Sequence, residues 1–434
     1  MDSEESLGES HPQPLGKTNK ETTIMAEPIV SLLNPEFEDD PIGAFARLRE
    51  KSPLVRIGFP GGPPVWLITR SEEFKAAWSD PRLVTNISNV PGHQGPSIAD
   101  QALTSLDVPA ELLRYFTSNL MLQDGKNHSR LRRLVAPAFS VRRIKALRPR
   151  IEEVSARLID ALAQKGSCDL LLDYATPLTG AVICDLVGID EADQPQIRKW
   201  MDEYANVDRD FTTSALGLFE YTKKLIQRRR AEPADDMISA LIATKDEDGD
   251  RLSEDEIVSM VGVLVNGGYH STAHFIPNAV LTLLDNPDQL ALLRAKPEAL
   301  PHAINELMRI ANPIPSAGPR YAAEDMELAG VSICKGDAVT GSLQSVNYDP
   351  RVFSEPERCN VERVLKRGEG HLAFGSGPHR CIGAALAELE GAIAIDHLFL
   401  QRDSLELAVS SSELKYRELI PGGARLFSAF PVRL

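Results

Sequence analysis

One cysteine stands in a pattern that could do chemistry. In "HLAFGSGPHRCIGAALAELE" (371–390), Phe374, Gly375, Gly377, His379, Cys381 and Gly383 form F-G-x-G-x-H-x-C-x-G ahead of a strongly helical segment. The glycines permit φ > 0 and let the backbone come close to something flat or bulky. A thiol at the mouth of a helix meets backbone N–H groups and the positive end of the helix dipole, and both favour the thiolate. The thiolate is the form that binds a metal. A small buried residue at a helix cap is the usual reading of a lone cysteine. The surrounding pattern argues against it here.

Other residues have spacing that invites a role. "ELMR" puts Glu306 and Arg309 one helical turn apart, by itself the mark of a solvated pair. "HSRLRR" carries His128 and Arg132, "GPRYAAEDMEL" carries Arg320, and "VNYDPRVFSEPERCNVER" ends on Arg363. A segment of about thirty residues, "LSEDEIVSMVGVLVNGGYHSTAHFIPNAVLTLLDNP", predicts a helix about 45 Å long, with Ser253 and Glu256 as its capping box. Inside it Gly267 and Gly268 each cost about 1 kcal/mol relative to Ala. Pro277 deletes the hydrogen bond to the Ala273 carbonyl. A helix weakened this way needs a compensating use.

These residues must be positioned by a mostly helical chain. Helical patterning starts near residue 36 and resumes after residue 125; "LVRIGFPGGPPVWLITR" predicts a β-hairpin, and residues 84–110 are loop-like. "ATPLTGAVICDLVGI" is nearly all apolar and predicts a buried helix. Short strands surround "MELAGVSICKGDAVTGS". Residues 1–27 are polar, with no apolar core of a signal peptide, and predict a disordered tail. Residues 28–434 predict one domain.

Composition narrows the class. The chain has 434 residues, 43% of them hydrophobic, enough for a large core. Its 47 Lys and Arg against 62 Asp and Glu leave a net charge of -15, which disfavours nucleic acid as a partner. Five cysteines without a C-x-x-C pair argue against zinc or a disulfide framework and fit a reducing cytoplasm. No stretch approaches the ~20 apolar residues of a membrane span.

The cysteine turn resembles the haem-binding loop of the cytochrome P-450 superfamily, and the other motifs follow in that family's order over roughly residues 30–434. The resemblance implies a mainly α fold with small β-sheets in a single triangular domain. It implies haem b (iron protoporphyrin IX), with Cys381 as proximal iron ligand and Phe374, Gly375 and Gly383 shaping the loop. His128, Arg132, Arg320 and His379 match residues that bind the haem propionates. Buried carboxylates need such cationic partners. Glu306, Arg309 and Arg363 match a structural Glu–Arg–Arg network. Cys359 stands where an aromatic residue is common, and is expected to be structural.

The long helix matches the family's oxygen groove, with departures. Where that pattern has a small residue, Gly, any residue, an acid and Thr, this chain has Gly267, Gly268, Tyr269, His270 and Ser271. Ser271 keeps a hydroxyl able to bond oxygen or a water. Three roles fit His270: a proton relay, a partner for a polar group on the substrate, or a side chain turned away and paired with backbone. Distal ligation of the iron is a fourth. By position, the substrate pocket would include Val263, Asn266, Gly267, Ile314, Ser316 and Ala317, beneath the 84–110 segment.

The function implied is a soluble bacterial-type monooxygenase that uses O2 to hydroxylate or epoxidise a small organic molecule, a secondary metabolite. Electrons would come from NAD(P)H through a reductase and a ferredoxin or flavodoxin. From Lys126 to Arg150 there are nine Lys or Arg and no Asp or Glu, a basic face suited to an acidic donor. A monomer is expected, without nucleic acid or membrane. Two alternatives remain open. With no acid at position 270 the same fold could couple radicals, close rings or desaturate without inserting oxygen. A non-catalytic haem protein that binds a ligand is of a different class.

Overall fold

The long helix is the spine of the molecule. It is capped as its sequence demands: the Ser253 hydroxyl accepts from Glu256 N, and the Glu256 carboxylate accepts from Ser253 N. Helix Glu254–Leu264 runs into a π-helical turn, Val265–Tyr269, and then into His270–Asp285. The widened turn falls on the two glycines, the weakest helix formers of the run. Beyond it the helix is buried on almost every side, Pro277 included, as expected of a core helix.

Two helices lock onto this spine. Helix Ala384–Ile395, headed by the cysteine turn, crosses it at Gly391, where a Cβ would stand 2.6 Å from a ring carbon of Phe275. Met308, from helix Leu300–Ile310, reaches the same point. Only a residue without a side chain allows this approach, so Gly391 fixes the cysteine-headed helix against the helix that carries the groove.

The computed structural model describes residues 29–434, apart from 59–61, 97–102, 105, 107, 206–209, 246–248, 366–369, 403 and 418–425. The expected disordered tail, 1–27, lies outside the described residues, as does part of the 84–110 segment. The hairpin forms, with Leu54–Gly58 antiparallel to Val65–Ile68. It belongs to a mixed sheet of six strands, in the order Val30–Ser31, Leu54–Gly58, Val65–Ile68, Ala338–Gly341, Arg320–Ala322, Leu83–Val84. The sheet packs on helix Ser71–Ser79 through Phe74 and Trp78, whose rings stack at 4.2 Å. The larger hydrophobic core lies among the helices.

One helical run, Leu170–Val187, is long and apolar enough to cross a membrane, where the sequence predicts none. It is 72% buried inside the protein, as the apolar helix of a core. Its apparent length comes from a π-helical stretch, Leu170–Ala175, joined to helix Thr176–Val187.

Candidate active site

The cysteine turn is built by its glycines. Gly375 and Gly377 have φ of +70° and +66°. Gly377 is doubly constrained, since a Cβ there would meet the Trp78 carbonyl oxygen at 2.2 Å. The turn closes when Cys381 N donates to Phe374 O at 2.9 Å and Arg380 N donates to Gly377 O at 3.1 Å. Helix Ala384–Ile395 then starts, with Gly383 as its N-cap; a Cβ on Gly383 would lie 3.8 Å from Cys381 Sγ.

Cys381 is exposed by surface area, yet protein surrounds it closely enough for burial to raise its pKa. The two facts together put the sulfur on the wall of a concavity. The N–H groups of Gly383 and Ala384, with Arg132 and Arg380, oppose that rise. The donors that the sequence predicts at the helix mouth are therefore present, but in the protein alone burial outweighs them. A bound metal ion deprotonates a coordinating thiol outright.

Basic side chains gather beside the sulfur. Helix Gly125–Val135 brings His128 and Arg132 inward, strand Arg320–Ala322 supplies Arg320, and the turn supplies His379. The His128 and His379 rings lie 3.9 Å apart. Arg320 stacks on the Trp78 ring at 4.9 Å and donates to its carbonyl at 3.3 Å. Burial, partly offset by Asp124, lowers the Arg320 pKa to about 10. Burial and the neighbouring cations hold His379 down at about 4, and lower His128 as well. Burial likewise lowers Arg132, which the Cys381 sulfur opposes.

This cluster is short of negative charge. Asp124, 3.9 Å from His379, is the carboxylate that offsets it, and it also accepts from Thr85, Asn86 and Asn89. Among the described residues, His128 Nε2 and one Arg320 Nη are buried with no hydrogen-bond partner. Such groups are costly unless an anion meets them. The residues present thus fit a flat group that carries two carboxylates and a metal opposite a thiolate. Asp124 and Trp78 were not among the residues singled out in the sequence; neither belongs to a local pattern.

The Glu306 carboxylate, in helix Leu300–Ile310, receives two bonds from Arg309 at 2.8 Å and two from Arg363 Nε at 3.0 Å. Both arginines spend their remaining donors on carbonyls, among them Asn347 O and Ser354 O. The Asn347 side chain in turn accepts from Leu372 N at 2.6 Å, just before the cysteine turn. The network therefore reaches the loop through one residue. Cys359 is buried nearby, and burial pushes its thiol up to about 12.

On the long helix, Ser271 donates its hydroxyl to the Gly267 carbonyl across the π-helical turn. Among the described residues, no other part of the fold lies within 4 Å of a Cβ placed on Gly267, whereas a Cβ on Gly268 would press on Ile183 at 3.0 Å. The open side of the turn is thus the Gly267 side. His270 turns to another neighbour: its Nε2 lies 3.7 Å from Asp202 Oδ1, on helix Gln194–Ala205. The outward reading of His270 expected a backbone partner; the structure supplies a carboxylate.

Of the expected pocket residues, Val263 is half-buried and Ile314 exposed. Ser316 bridges to Ser342, and Ala317 is tied by backbone to Gly341. The Asn266 side chain lies outside the described residues.

The basic stretch is less open than its sequence implies. Arg130 bonds to Asp250 and Glu256, Arg143 to Asp235, Arg148 to Glu152, and Arg150 to Glu153 and Asp185. Among the described residues, Lys126, Arg142 and Lys145 make no ion pair and are exposed, beside the exposed Val141.

A family model described as "Cytochrome P450" matches residues 194–419. The chain is 36% identical to 6-deoxyerythronolide B hydroxylase from Saccharopolyspora erythraea, over 94% of this chain and 99% of that protein. It superposes on the cytochrome P450 PksS of the Bacillus subtilis bacillaene polyketide synthase with a TM-score of 0.81 and 32% identity, covering 92% of this chain and 98% of that one. It also resembles the P450 enzyme CxnD for C–S bond formation in chuangxinmycin biosynthesis, with a TM-score of 0.78 and 32% identity over 94% and 97% of the two chains.

Proposed function

The chain belongs to the cytochrome P450 family and is a haem-dependent monooxygenase of the secondary-metabolite tailoring kind; from that premise we propose which of its residues hold the haem and what it oxidises. Cys381 provides the proximal thiolate. His128, Arg132, Arg320 and His379 hold the propionates, and Phe374, Gly375 and Gly383 let the loop lie against the ring. The observation that carries this reading is the buried, anion-poor cation cluster beside the Cys381 sulfur.

Bound haem supplies the activation of O2; the protein supplies binding, orientation and protons. Gly267 leaves room for O2 on the open side of the π-helical turn. The Ser271 hydroxyl gives its proton to the Gly267 carbonyl and so keeps lone pairs for a donor in the groove. His270, the residue before it, is assigned the relay of protons toward the groove. The buried Glu306–Arg309–Arg363 network holds the segment that leads to Leu372 and the loop.

The substrate is an apolar polyketide-type scaffold held against Val263, Asn266, Gly267, Ile314, Ser316 and Ala317. A ferredoxin or flavodoxin, reduced by an NAD(P)H-dependent reductase, docks on Lys126, Arg142 and Lys145, with Val141 as an apolar contact. The protein works as a monomer in the cytoplasm, where Cys168, Cys184, Cys334 and Cys359 stay free thiols. The test is turnover of a panel of polyketide macrolactones with NADPH, ferredoxin and reductase. A product that gains one oxygen atom supports the reading. Absence of NADPH consumption across the panel and across several donors contradicts it and favours a ligand-binding role.

A second reading has its own support. His270 stands where an acid is common, and one similar structure belongs to an enzyme for C–S bond formation. A product that loses two hydrogens and gains no oxygen would favour coupling or ring closure.

A further inference from the structure

Position 270 is joined to a carboxylate on another helix. Asp202, on helix Gln194–Ala205, meets His270 Nε2 at 3.7 Å. The Asp202 side chain is 52% exposed and that of His270 20%. The next residue, Ser271, is bonded into the π-helical turn. The exposed carboxylate thus meets an imidazole that is more shielded than itself, one residue before the serine of the turn. A polar contact this exposed contributes little to stability, so cohesion between the helices is a poor explanation for it.

The neighbours do not compete for the role. On the same helix, Tyr269 and His274 lie 5.1 and 5.8 Å from the His270 ring, centroid to centroid. Burial keeps His274 neutral, its pKa down at about 3, and raises that of Tyr269. Arg198, from the Asp202 helix, acts on Tyr269, and Arg417 acts on His274. Among the described residues, Asp202 is the carboxylate that meets His270.

We propose that Asp202 and His270 act as one proton-transfer unit, in which Asp202 orients the imidazole and draws protons from solvent, and His270 delivers them to the groove at Ser271. The inference rests on the relay role given to His270 above. In each cycle an N–H bond of the imidazolium breaks, and the electron pair stays on nitrogen. A hydronium ion from solvent, held at the Asp202 carboxylate, protonates the imidazole again and leaves as water. No electrons move in this unit. Asp202 is a positioning residue, since it acts through His270.

The test uses the haem-loaded protein with O2, NADPH, a plant-type ferredoxin and its reductase, without added substrate. Hydrogen peroxide released per NADPH is measured, along with the solvent isotope effect. Asp202→Asn is expected to raise the peroxide share and slow NADPH use on the order of tenfold, toward His270→Phe, while Asp202→Glu restores both. A second readout is independent of turnover. The infrared stretch of carbon monoxide bound to the reduced protein senses charge at the groove. It should shift in Asp202→Asn and return in Asp202→Glu.

If His270→Phe uncouples while Asp202→Asn changes neither readout, the pairing is overturned and the relay role of His270 survives. If neither variant uncouples, the relay role falls and takes the pairing with it. If Asn and Glu fail alike with a lowered thermal midpoint, the pair only joins two helices and the proposal is overturned.

Discussion

Arg309 meets Glu306 through two bonds of 2.8 Å, and both side chains are almost fully buried. Arg363 then closes on the same carboxylate. A buried ion pair is costly to break, because removing one partner strands the other. Glu306→Ala is expected to destabilise the protein by about 3–5 kcal/mol. Glu306→Gln, which keeps the shape, should cost less. Chemical unfolding of both variants checks this, and equal, small losses would show that the network is slack.

Gly377 ties the cysteine turn to Trp78. Gly377→Ala puts a Cβ 2.2 Å from the Trp78 carbonyl oxygen at a φ that L residues rarely adopt. Retained haem per polypeptide should fall well below that of the parent. Gly375→Ala has open space around it but the same sign of φ, so it should suffer less. Haem content measured after purification ranks the two.

Acid should loosen the fold through histidines that are buried and neutral. Burial sets His274 at about 3 and His371 at about 4, below the ordinary ~6.5. The unfolded chain then binds protons that the native state refuses. Stability from these groups is complete above about pH 6.5 and falls as the pH drops toward 4, by at most about 1.4 kcal/mol per pH unit for each group. Replacing His274 with Leu should flatten the dependence of the unfolding midpoint on pH. An unchanged slope would mean that His274 is protonated in the folded protein.

Arg142 and Lys145 are the exposed cations on the short helix Val141–Ala146. Reversing both to Glu should slow reduction by an acidic ferredoxin roughly tenfold at low ionic strength, with the deficit shrinking in salt. Reversing Arg148, already paired with Glu152, should do less. Stopped-flow reduction of the parent and the two variants separates these outcomes.

What the sequence disclosed was mostly local. The F-G-x-G-x-H-x-C-x-G turn is contiguous, so its shape was readable, and the Ser253–Glu256 cap and the weak point at Gly267–Gly268 were equally so. Partners from distant segments were not readable. Asp202 reaches His270 from another helix, and Asp124 and Trp78 join the cation cluster only through the fold. The basic run looked open because the carboxylates that pair it, such as Asp185, Asp235 and Asp250, lie elsewhere in the chain. The burial of Cys381, which opposes the donors at the helix mouth, depends on packing that a local argument omits.

The most direct measurement is the absorption spectrum of the haem-loaded protein, reduced and exposed to carbon monoxide, for the parent and for Cys381→His. If Cys381 holds the iron as thiolate, the parent shows a strongly red-shifted Soret band and Cys381→His binds carbon monoxide without that shift. A parent without the shift, or a Cys381→His variant that keeps it, would contradict the assignment of Cys381 as ligand.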